Sequence, residues 1–404
     1  MKYIITKKCQ VCGSKKLKKF LNLGKQPLCD DLLKKKYNNI LYNLEVLTCD
    51  RCLTAFQKYN VNEKILFPKN YHYRAANTLD VILGMKSLVK DLEKKFGSLR
   101  GKKVLDIGCN DGSLLDIFKK RGARTFGVEP TGAYIEAKKK GHNVLNKYFD
   151  TNICKRFKKI KFDVVTFTNV FAHIHNFEEL IKSLLKVIST ETILVIENHY
   201  LGEVLRKYQF DTFYHEHPRT YSFTSFYYIS KSLGLNISKV SFVKRYNGNI
   251  RVMMSNLKKE NKTKINKILN KEKKFKNKFK IFQKKINLWK INKKKYLKEI
   301  NQKYGPIPAK AFPGRASIIL NFLSLDKNTI SSTYEKNNSL KNHYFIPGTD
   351  IKILPEKKLK KILNKKQIIL NLAWHISGEI KKYLKQKFNF KGRIIDIMSP
   401  IEFK

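Results

Sequence analysis

Val104-Leu-Asp-Ile-Gly-Cys-Asn-Asp-Gly-Ser-Leu-Leu115 is the stretch that decides the fold of this 404-residue chain. An apolar run reaches Asp106 and breaks into a turn with Gly108 and Gly112, after which apolar residues recur at helical spacing. A second apolar run ends in Glu129, 21 residues after Gly108. This order is how an open α/β sheet builds a nucleotide site, because glycines let the ligand approach the backbone and the acid holds ribose hydroxyls.

The glycine spacing differs from that of a dinucleotide-binding fingerprint. The pattern is Asp-x-Gly-x-Asn-Asp-Gly, whereas the fingerprint places three glycines in Gly-x-Gly-x-x-Gly. With an acid on the first strand, the stretch resembles motif I of the class I S-adenosylmethionine methyltransferases. A purely structural strand, turn and helix is the alternative. The resemblance implies that the cofactor is bound by Asp106, Gly108, Asn110, Gly112 and Glu129.

Strand-like and helix-like segments alternate after this turn, which predicts a doubly wound sheet of parallel strands. The apolar runs 162–167 and 192–197 suit strands that are buried on both faces. Asn169 and His173 follow the first run, at the edge where ligands lie in such folds. We therefore expect Asn169 to contact the cofactor and His173 to belong to the reactive site.

The net charge of +52 invites a nucleic-acid interpretation. However, only 12 of the 84 basic residues are arginine, and the lysines are scattered through every segment. This distribution is typical of biased codon usage and not of an arginine surface selected for phosphate recognition. We expect weak attraction to polyanions but no specific nucleic-acid partner. Since neither a membrane span nor a signal-peptide core is found, a cytoplasmic location is expected.

The amino-terminal part carries two Cys-x-x-Cys pairs, each of which offers two thiolates with the right spacing for one metal ion. Four thiolates fill a tetrahedral shell, so the zinc ion that this pattern predicts would be structural and not catalytic. Disulfides or free thiols are the alternatives, and disulfides fit poorly in a chain without a signal peptide. The predicted ligands are Cys9, Cys12, Cys49 and Cys52.

The reactive residues concentrate in the segment 210–222, which contains His215, Glu216 and His217. A metal site is disfavoured there because the His-Glu-x-x-His spacing of a helical zinc site is absent. Buried, hydrogen-bonded histidines with a structural role are a second alternative. We favour acid–base chemistry, because histidine titrates near neutrality and a neighbouring carboxylate can orient it. Two tyrosines before the central domain, Tyr71 and Tyr73, could pack or line the same site.

Over nearly its whole length, the chain resembles the sugar C-methyltransferases that methylate nucleotide-linked 4-keto-deoxyhexoses at C3. Five features carry the resemblance: the paired cysteines, the Gly-x-Asn-Asp-Gly turn, the Asn-Val-Phe-Ala-His segment, the Tyr-x-Glu-His block and the carboxyl-terminal Pro-Gly-Thr and Trp segments. The resemblance implies that His217 is the general base. Its implied partners, which orient the base or donate to an oxyanion, are Tyr214, Glu216, Tyr71, Tyr73 and His173.

The implied reaction needs such residues because a sugar carbon is not a nucleophile by itself. Beside a 4-keto group the C3 proton is acidic enough for a positioned base to remove, and the enolate then attacks the methyl group of S-adenosylmethionine. An O- or N-methyltransferase acting on a surface-polysaccharide precursor is the first alternative. An RNA-modifying or nucleic-acid-binding protein and a non-catalytic scaffold are the others.

The expected fold class is α/β, with a class I (Rossmann-like) methyltransferase domain between two smaller units. We expect a zinc-binding module over residues 1–75, the S-adenosylmethionine-binding domain over 76–255 and a basic helical connector over 256–300. A carboxyl-terminal α/β domain over 301–404, with strands at 316–322, 367–372 and 393–397, would bind the nucleotide-linked keto-sugar. Oligomeric state is not predicted.

Two turns depart from the family pattern. The stretch 305–315 contains three prolines where relatives carry Gly-Ala-x-x-Lys-Gly, and Lys310 is taken as the matching lysine. Prolines remove N–H donors that could hold a phosphate, which puts phosphate binding by this turn in doubt. In the stretch 247–251, Asn249 stands where the family has serine.

Overall fold

The computed structural model describes residues 3–35, 39–67, 73–363 and 368–404. Its strands are β1 (Ile4–Ile5), β2 (Leu17–Gln26), β3 (Tyr42–Cys49), β4 (Ala55–Gln57), β5 (Tyr59–Asn60), β6 (Lys103–Ile107), β7 (Arg124–Val128), β8 (Asn143–Leu145), β9 (Val164–Thr168), β10 (Ile193–His199), β11 (Arg219–Thr220), β12 (Ile237–Val243), β13 (Asn249–Met254), β14 (Ile307–Lys310), β15 (Ile330–Glu335), β16 (Ile353–Pro355), β17 (Ile368–Asn371) and β18 (Arg393–Asp396).

The helices are α1 (Glu63–Leu66), α2 (Leu79–Phe96), α3 (Ser113–Lys119), α4 (Tyr134–Lys139), α5 (Thr151–Arg156), α6 (Phe177–Val187), α7 (Leu201–Lys207), α8 (Phe223–Ser232), α9 (Lys262–Glu272), α10 (Phe275–Tyr304), α11 (Ala316–Phe322), α12 (Lys357–Leu363) and α13 (Ser377–Phe388). Among the described residues, no helix has the length and apolar character needed to cross a membrane.

The central sheet has the order β12-β13-β10-β9-β6-β7-β8. The five strands from β10 to β8 are parallel to their neighbours, whereas β13 runs antiparallel to both β10 and β12. The chain leaves β6 toward β7 and β8 and then returns to β9 on the other side. The order therefore reverses between β6 and β9, and ligands of open α/β sheets bind at that switch point. The α/β prediction is confirmed, with one antiparallel strand added.

Helices cover both faces of this sheet, which is why its strands are apolar throughout. On one face Met85 and Leu88 of α2 pack in a cluster with Val104 and Val195. On the other face Leu180 of α6 is buried in the main core together with strand residues. These layers hold the carboxyl ends of β6, β7, β9 and β10 at one edge.

The amino-terminal unit, which we call the zinc module, is built on β1 to β5. Its antiparallel sheet has the order β11-β4-β3-β2, so one of its four strands comes from far along the chain. Arg219 of β11 pairs with Phe56, and Thr220 pairs with Ala55. The zinc module and the segment predicted to be reactive therefore share a sheet.

The carboxyl-terminal sheet is parallel throughout, with the order β16-β15-β14-β17-β18. The predicted strand at 316–322 is wrong, because these residues form helix α11, which is buried on nearly all sides. Periodicity cannot distinguish a short buried helix from a strand. The first strand is β14 instead, and Pro308 within it hid the strand pattern. This proline is tolerated because the register of β14 shifts beside it.

The basic segment after the central domain forms two helices, α9 and α10, where one long helix was expected. Helix α10 joins all three units. Its Phe279 lies 5.0 Å, centroid to centroid, from Phe20 of the zinc module. Its Trp289 lies 5.3 Å from Phe210 of the central unit and 5.4 Å from Phe403 near the carboxyl end. The apolar residues of α10 therefore pack against all three units.

Candidate active site

The glycine turn after β6 packs closely against neighbouring residues at both of its glycines. Gly108 has a φ of +69°, and a Cβ there would lie 2.6 Å from two methyl carbons of Val170. Gly112 has a φ of +78°, and a Cβ there would lie 2.9 Å from the ring of His142. Both positions combine a left-handed backbone with close neighbours, so both require glycine.

Two predicted cofactor acids lie at the carboxyl ends of β6 and β7. Asp106 is buried and accepts a 2.6 Å hydrogen bond from the hydroxyl of Thr166, and burial raises its pKa to about 7. Glu129 accepts hydrogen bonds from the backbone N–H groups of Asn110 (2.9 Å) and Thr131 (2.8 Å). Burial also raises the pKa of Glu129. The second acid is thereby fixed against the backbone of the glycine turn.

Asn169 occupies the carboxyl end of β9, beside the switch point, with a φ of +56°. Its Oδ1 accepts a 2.9 Å hydrogen bond from Nδ2 of Asn249. Its own Nδ2 and the hydroxyl of Thr168 are buried, and neither has a hydrogen-bond partner among the described residues. Buried polar groups are rarely left unpaired, so these two atoms indicate a polar ligand at this edge.

These residues fit S-adenosylmethionine. The glycine turn admits a ligand to the backbone, Glu129 offers a carboxylate where such folds hold a ribose, and the unpaired Nδ2 of Asn169 can donate to an anionic group. The cofactor would supply an electrophilic methyl group.

The segment before α2 lies over the glycine turn. Asn110 accepts from the N–H of Ala75 (3.0 Å) and donates to the carbonyl of Tyr73 (3.2 Å). Asp111 accepts from the N–H of Ala76 at 2.8 Å. The side chain of Tyr73 is exposed, while Tyr71 lies outside the described residues. Two side chains of the motif therefore hold this segment against the site.

His217 has one ring nitrogen fixed by the backbone. Its Nδ1 lies 3.0 Å from the carbonyl oxygen of Thr212, and a carbonyl can only accept, so Nδ1 carries the proton. Nε2 is then the basic nitrogen, and the hydroxyl of Tyr214 donates to it at 3.0 Å. Burial lowers the pKa of His217 well below its ordinary value, which keeps the ring neutral. The structure thus supplies a neutral imidazole with a defined lone pair.

Glu216 does not orient this ring as the sequence analysis expected. Both nitrogens of His217 have other partners, and it is the Thr212 carbonyl that fixes the tautomer. The carbonyl of Glu216 instead accepts from Nδ1 of His173 at 2.8 Å. A peptide carbonyl near the ring is invisible to sequence motifs, which report side chains only.

His173 lies beside His217, with ring centroids 4.7 Å apart. Burial lowers the pKa of His173 to about 4, so the ring is neutral and has a single N–H. That N–H is committed to the Glu216 carbonyl, so in this tautomer Nε2 cannot also donate to an oxyanion. The donor role predicted for His173 therefore does not match the geometry.

Two further histidines separate into different environments. His199, at the end of β10, lies 5.5 Å from the ring of His217, and burial lowers its pKa. His215 packs against Tyr42 of the zinc module at 5.8 Å, and burial lowers its pKa to about 4. His215 is therefore buried, as the structural alternative expects, but neither of its ring nitrogens has a hydrogen-bond partner among the described residues.

The carboxyl-terminal domain contacts the site at Asp211, a residue of the segment 210–222 that the sequence analysis did not single out. This buried carboxylate accepts from Arg315 through Nε (2.8 Å) and Nη2 (2.7 Å) and from the indole N–H of Trp374 (2.9 Å). His375 follows Trp374, and its pKa is lowered to about 3, first by burial and then by Arg315. The turns after β14 and β17 therefore contact the segment 210–222.

Lys310 is not the cation of the turn after β14. It belongs to β14 itself, and its buried ammonium group lies 2.9 Å from the carboxylate of Glu356. The turn begins at Ala311, which has a φ of +65°, and its cation is Arg315. The matching of Lys310 to the family lysine is therefore wrong, because β14 occupies part of the stretch 305–315 that was taken for the turn and places Lys310 on the strand.

The four predicted zinc ligands form one cluster, with all sulfur atoms within 4.8 Å of one another. Cys9 and Cys52 are 3.4 Å apart, and Cys12 and Cys49 are 3.5 Å apart, so the sulfurs pair across the two motifs. These separations are far above the roughly 2.05 Å of a disulfide and suit a tetrahedral metal with bonds of about 2.3 Å. The zinc prediction is confirmed over the disulfide alternative.

Three families match successive parts of the chain. A zinc binding domain matches residues 9–67, a methyltransferase domain matches 80–240 and a C-methyltransferase C-terminal domain matches 245–398. The first contains the cysteine cluster, the second contains the glycine turn and the 210–222 segment, and the third contains Arg315 and Trp374.

Two curated relatives match parts of the chain. The C-methyltransferase NovU of Streptomyces niveus is 27% identical over 248 residues, which are 60% of this chain and 59% of that protein. A ubiquinone biosynthesis O-methyltransferase of Bradyrhizobium sp. (strain ORS 278) is 35% identical over 85 residues, 20% of this chain and 33% of that protein. The chain thus spans less than two thirds of the length of either relative.

Among solved structures, a SAM dependent methyltransferase from Archaeoglobus fulgidus is similar with 18% identity and a TM-score of 0.35, covering 42% of this chain and 93% of that chain.

Proposed function

We propose that this chain, a member of the C-methyltransferase family, transfers a methyl group from S-adenosylmethionine to C3 of a nucleotide-linked 4-keto-deoxysugar. The observation that carries the proposal is the pair of His217 and Tyr214. The Thr212 carbonyl holds the proton on Nδ1 of His217, and the Tyr214 hydroxyl lies 3.0 Å from the opposite nitrogen. A neutral base with a fixed lone pair and an adjacent hydroxyl donor suit the removal of a proton from carbon.

In this reaction Nε2 of His217 takes the C3 proton, and the C–H electron pair moves into an enolate whose charge lies on the 4-keto oxygen. C3 then bonds to the methyl carbon while the carbon–sulfur bond breaks, leaving its electron pair on sulfur. The Tyr214 hydroxyl, released from Nε2 as that nitrogen turns to the substrate, would donate to the enolate oxygen. A donor role for the Tyr71 or Tyr73 hydroxyl toward this oxygen stays part of the proposal.

Contacts connect the proposed cofactor site to the proposed base. Val170 contacts the space above Gly108, and His173, three residues later, lies 4.7 Å from the ring of His217. Gly108 and His173 thus follow the carboxyl ends of the neighbouring strands β6 and β9, and His173 lies beside the proposed base. Enzymes gain much of their rate by holding two reactants together in this manner.

The nucleotide part of the substrate would lie toward the carboxyl-terminal domain. Its parallel sheet reverses order between β14 and β17, and the turns after these two strands carry Arg315 and Trp374 beside Asp211. Ligands of parallel sheets bind at such reversals. A cytoplasmic location and a nucleotide-linked keto-sugar as the partner belong to this proposal.

The test is methyl transfer to a panel of dTDP-, GDP- and CDP-linked 4-keto-6-deoxyhexoses, with the position of the new methyl group determined by NMR. We expect a methyl group on C3. We also expect His217→Asn to abolish transfer and the exchange of the C3 proton in deuterium oxide, while binding of S-adenosylmethionine is unchanged. His343→Asn, at an exposed histidine of the carboxyl-terminal domain, is the matched control and should behave as wild type.

Each opposing result has a definite meaning. Normal turnover by His217→Asn would refute the role of the base. A methyl group found on oxygen or nitrogen would refute C-methylation and support the O- or N-methyltransferase alternative. Absence of S-adenosylmethionine binding by the wild type would support the non-catalytic scaffold.

A further inference from the structure

The loop at residues 213–218 carries both members of the proposed reactive pair, yet it has no regular secondary structure of its own. It lies between a 3-10 turn at Phe210–Thr212 and the two-residue strand β11. Such a loop depends for its shape on hydrogen bonds from other elements. Three of those bonds come from one residue of the zinc module.

Gln57, at the end of β4, donates three hydrogen bonds to the loop. Its Nε2 donates to the carbonyl of Tyr214 at 2.6 Å and to that of His217 at 3.0 Å. Its backbone N–H donates to the carbonyl of Pro218 at 2.9 Å. Only 1% of Gln57 is exposed, so water cannot replace these bonds.

The Tyr214 carbonyl, which accepts from Gln57, also closes the turn that carries the proposed reactive pair. The N–H of His217 donates to the Tyr214 carbonyl at 2.8 Å, and Gln57 donates to that oxygen from the other side. The position of the His217 ring relative to the Tyr214 hydroxyl thus depends on an atom that Gln57 fixes.

The cysteine cluster lies a few residues from Gln57 and contacts the chain that follows the loop. Cys52 precedes β4 by three residues, and its carbonyl accepts hydrogen bonds from the hydroxyls of Ser222 and Ser225, both at 3.2 Å. Thr54 donates to Ser225 at 2.8 Å. The metal-binding knuckle therefore holds the chain just after the loop, while Gln57 holds the loop itself.

We propose that Gln57 is a positioning residue for methyl transfer and that the zinc module fixes the position of the loop that carries the proposed base. The first half of this proposal rests on the proposed role of His217 as general base. Gln57 touches neither the substrate nor the cofactor in this scheme. It acts through the backbone of the residues that do, and a displacement of about 1 Å at a reactive group can cost about 100-fold in rate.

The test compares Gln57→Leu with Gln26→Leu in the full chain. Gln26 is also a buried glutamine of the zinc module, but its Nε2 donates to Leu23 within that module at 2.8 Å. Amide hydrogen exchange is measured by mass spectrometry on peptides spanning 213–218 and 104–115. We expect Gln57→Leu to speed exchange in 213–218 by about tenfold and to leave 104–115 unchanged, because only bonds to the loop are lost. Gln26→Leu should change neither segment.

Zinc removal from the wild-type protein with a chelator is the second measurement, and it does not depend on the folding of any variant. We expect the same faster exchange in 213–218, with binding of S-adenosylmethionine retained. In turnover with the 4-keto-6-deoxyhexose that the wild type accepts, Gln57→Leu should lower kcat by about 100-fold and leave KM for S-adenosylmethionine unchanged.

Equal exchange of 213–218 in the two variants, or exchange raised throughout the chain, would overturn the proposal. So would unchanged exchange in this loop after zinc removal. If the wild type methylates none of the sugars, the proposed function fails, but the exchange data still decide whether the zinc module holds the loop.

Discussion

At the scale of single residues, backbone carbonyls decide which histidine atoms can react. Thr212 fixes the proton of His217 on Nδ1, and the Glu216 carbonyl does the same for His173. Both rings are buried and held neutral, but only the first presents its free nitrogen to a donor hydroxyl. Chemically identical side chains thereby acquire different roles.

The lowered pKa of His217 predicts the pH dependence of the reaction. The neutral ring is the active form, and burial opposes its protonation, so activity persists as the pH falls below the ordinary histidine value of 6.5. We expect the acid limb of kcat/KM to lie below pH 6.5 when measured between about pH 5 and about pH 8. A half-maximal rate at or above pH 6.5 would contradict the assignment of His217 as the base.

Gly108→Ala should abolish binding of S-adenosylmethionine. The new Cβ would lie 2.6 Å from Val170 in a left-handed backbone, so the turn must move. Gly97→Ala is the control, because Gly97 also has a positive φ, of +92°, but has nothing within 4 Å of its ideal Cβ. Titration calorimetry should show binding in the control alone. Equal affinity in both would mean that the turn does not contact the cofactor.

At the scale of elements, helix α8 begins with two caps. Ser222 and Ser225 form a capping box, and Glu272 of α9 accepts from the N–H groups of Phe223 (2.8 Å) and Thr224 (2.7 Å). A carboxylate at a helix N-terminus is stabilised by the exposed N–H groups and the helix dipole. The helix that follows the reactive segment is therefore anchored by a residue of the connector.

Glu272→Ala should lower the free energy of unfolding by about 2 kcal/mol, because it leaves buried N–H groups and the hydroxyl of Tyr200 without their acceptor. Glu299→Ala, at an exposed position of α10, should change stability by less than about 0.5 kcal/mol. Urea unfolding of both variants measures the difference. Similar stabilities would show that Glu272 does not anchor α8.

At the scale of the whole molecule, three units converge on the segment 210–222, which is predicted to be reactive. The zinc module shares a sheet with Arg219 and Thr220, and α10 packs Phe279 against Phe20. The carboxyl-terminal domain attaches through Asp211. The segment is thus a junction and not a surface loop.

Asp211→Asn should weaken the attachment of the carboxyl-terminal domain. The amide cannot accept two hydrogen bonds from Arg315 as a carboxylate does, and it leaves a nearly buried cation unpaired. We expect a loss of about 3 kcal/mol in stability and a lower kcat with unchanged binding of S-adenosylmethionine. Glu178→Gln, which removes an exposed pair with Lys182, is the control and should cost less than about 1 kcal/mol. Equal thermal stability of the two variants would refute the junction.

The sequence analysis succeeded for features that depend on the spacing of a few neighbouring residues. The Cys-x-x-Cys pairs and the turn from Asp106 to Gly112 each need only a few neighbouring residues, so their patterns predicted a zinc cluster and an α/β nucleotide fold. It failed for secondary structure and for residue roles that depend on contacts with distant parts of the chain. Pro308 hid strand β14, the buried helix α11 was taken for a strand, and Lys310 was chosen in place of Arg315.

By itself, the sequence determined the fold class, the glycine turn after the first strand of the central sheet and the four metal ligands, because these features arise from covalent spacing and strand order. Only the tertiary structure decided that Thr212 sets the tautomer of His217, that Gln57 donates hydrogen bonds to the loop 213–218 and that Asp211 contacts the carboxyl-terminal domain. These interactions link residues through backbone atoms or across more than a hundred positions. Neither kind leaves a pattern along the chain, since hydrogen bonds form between whichever groups the fold brings together.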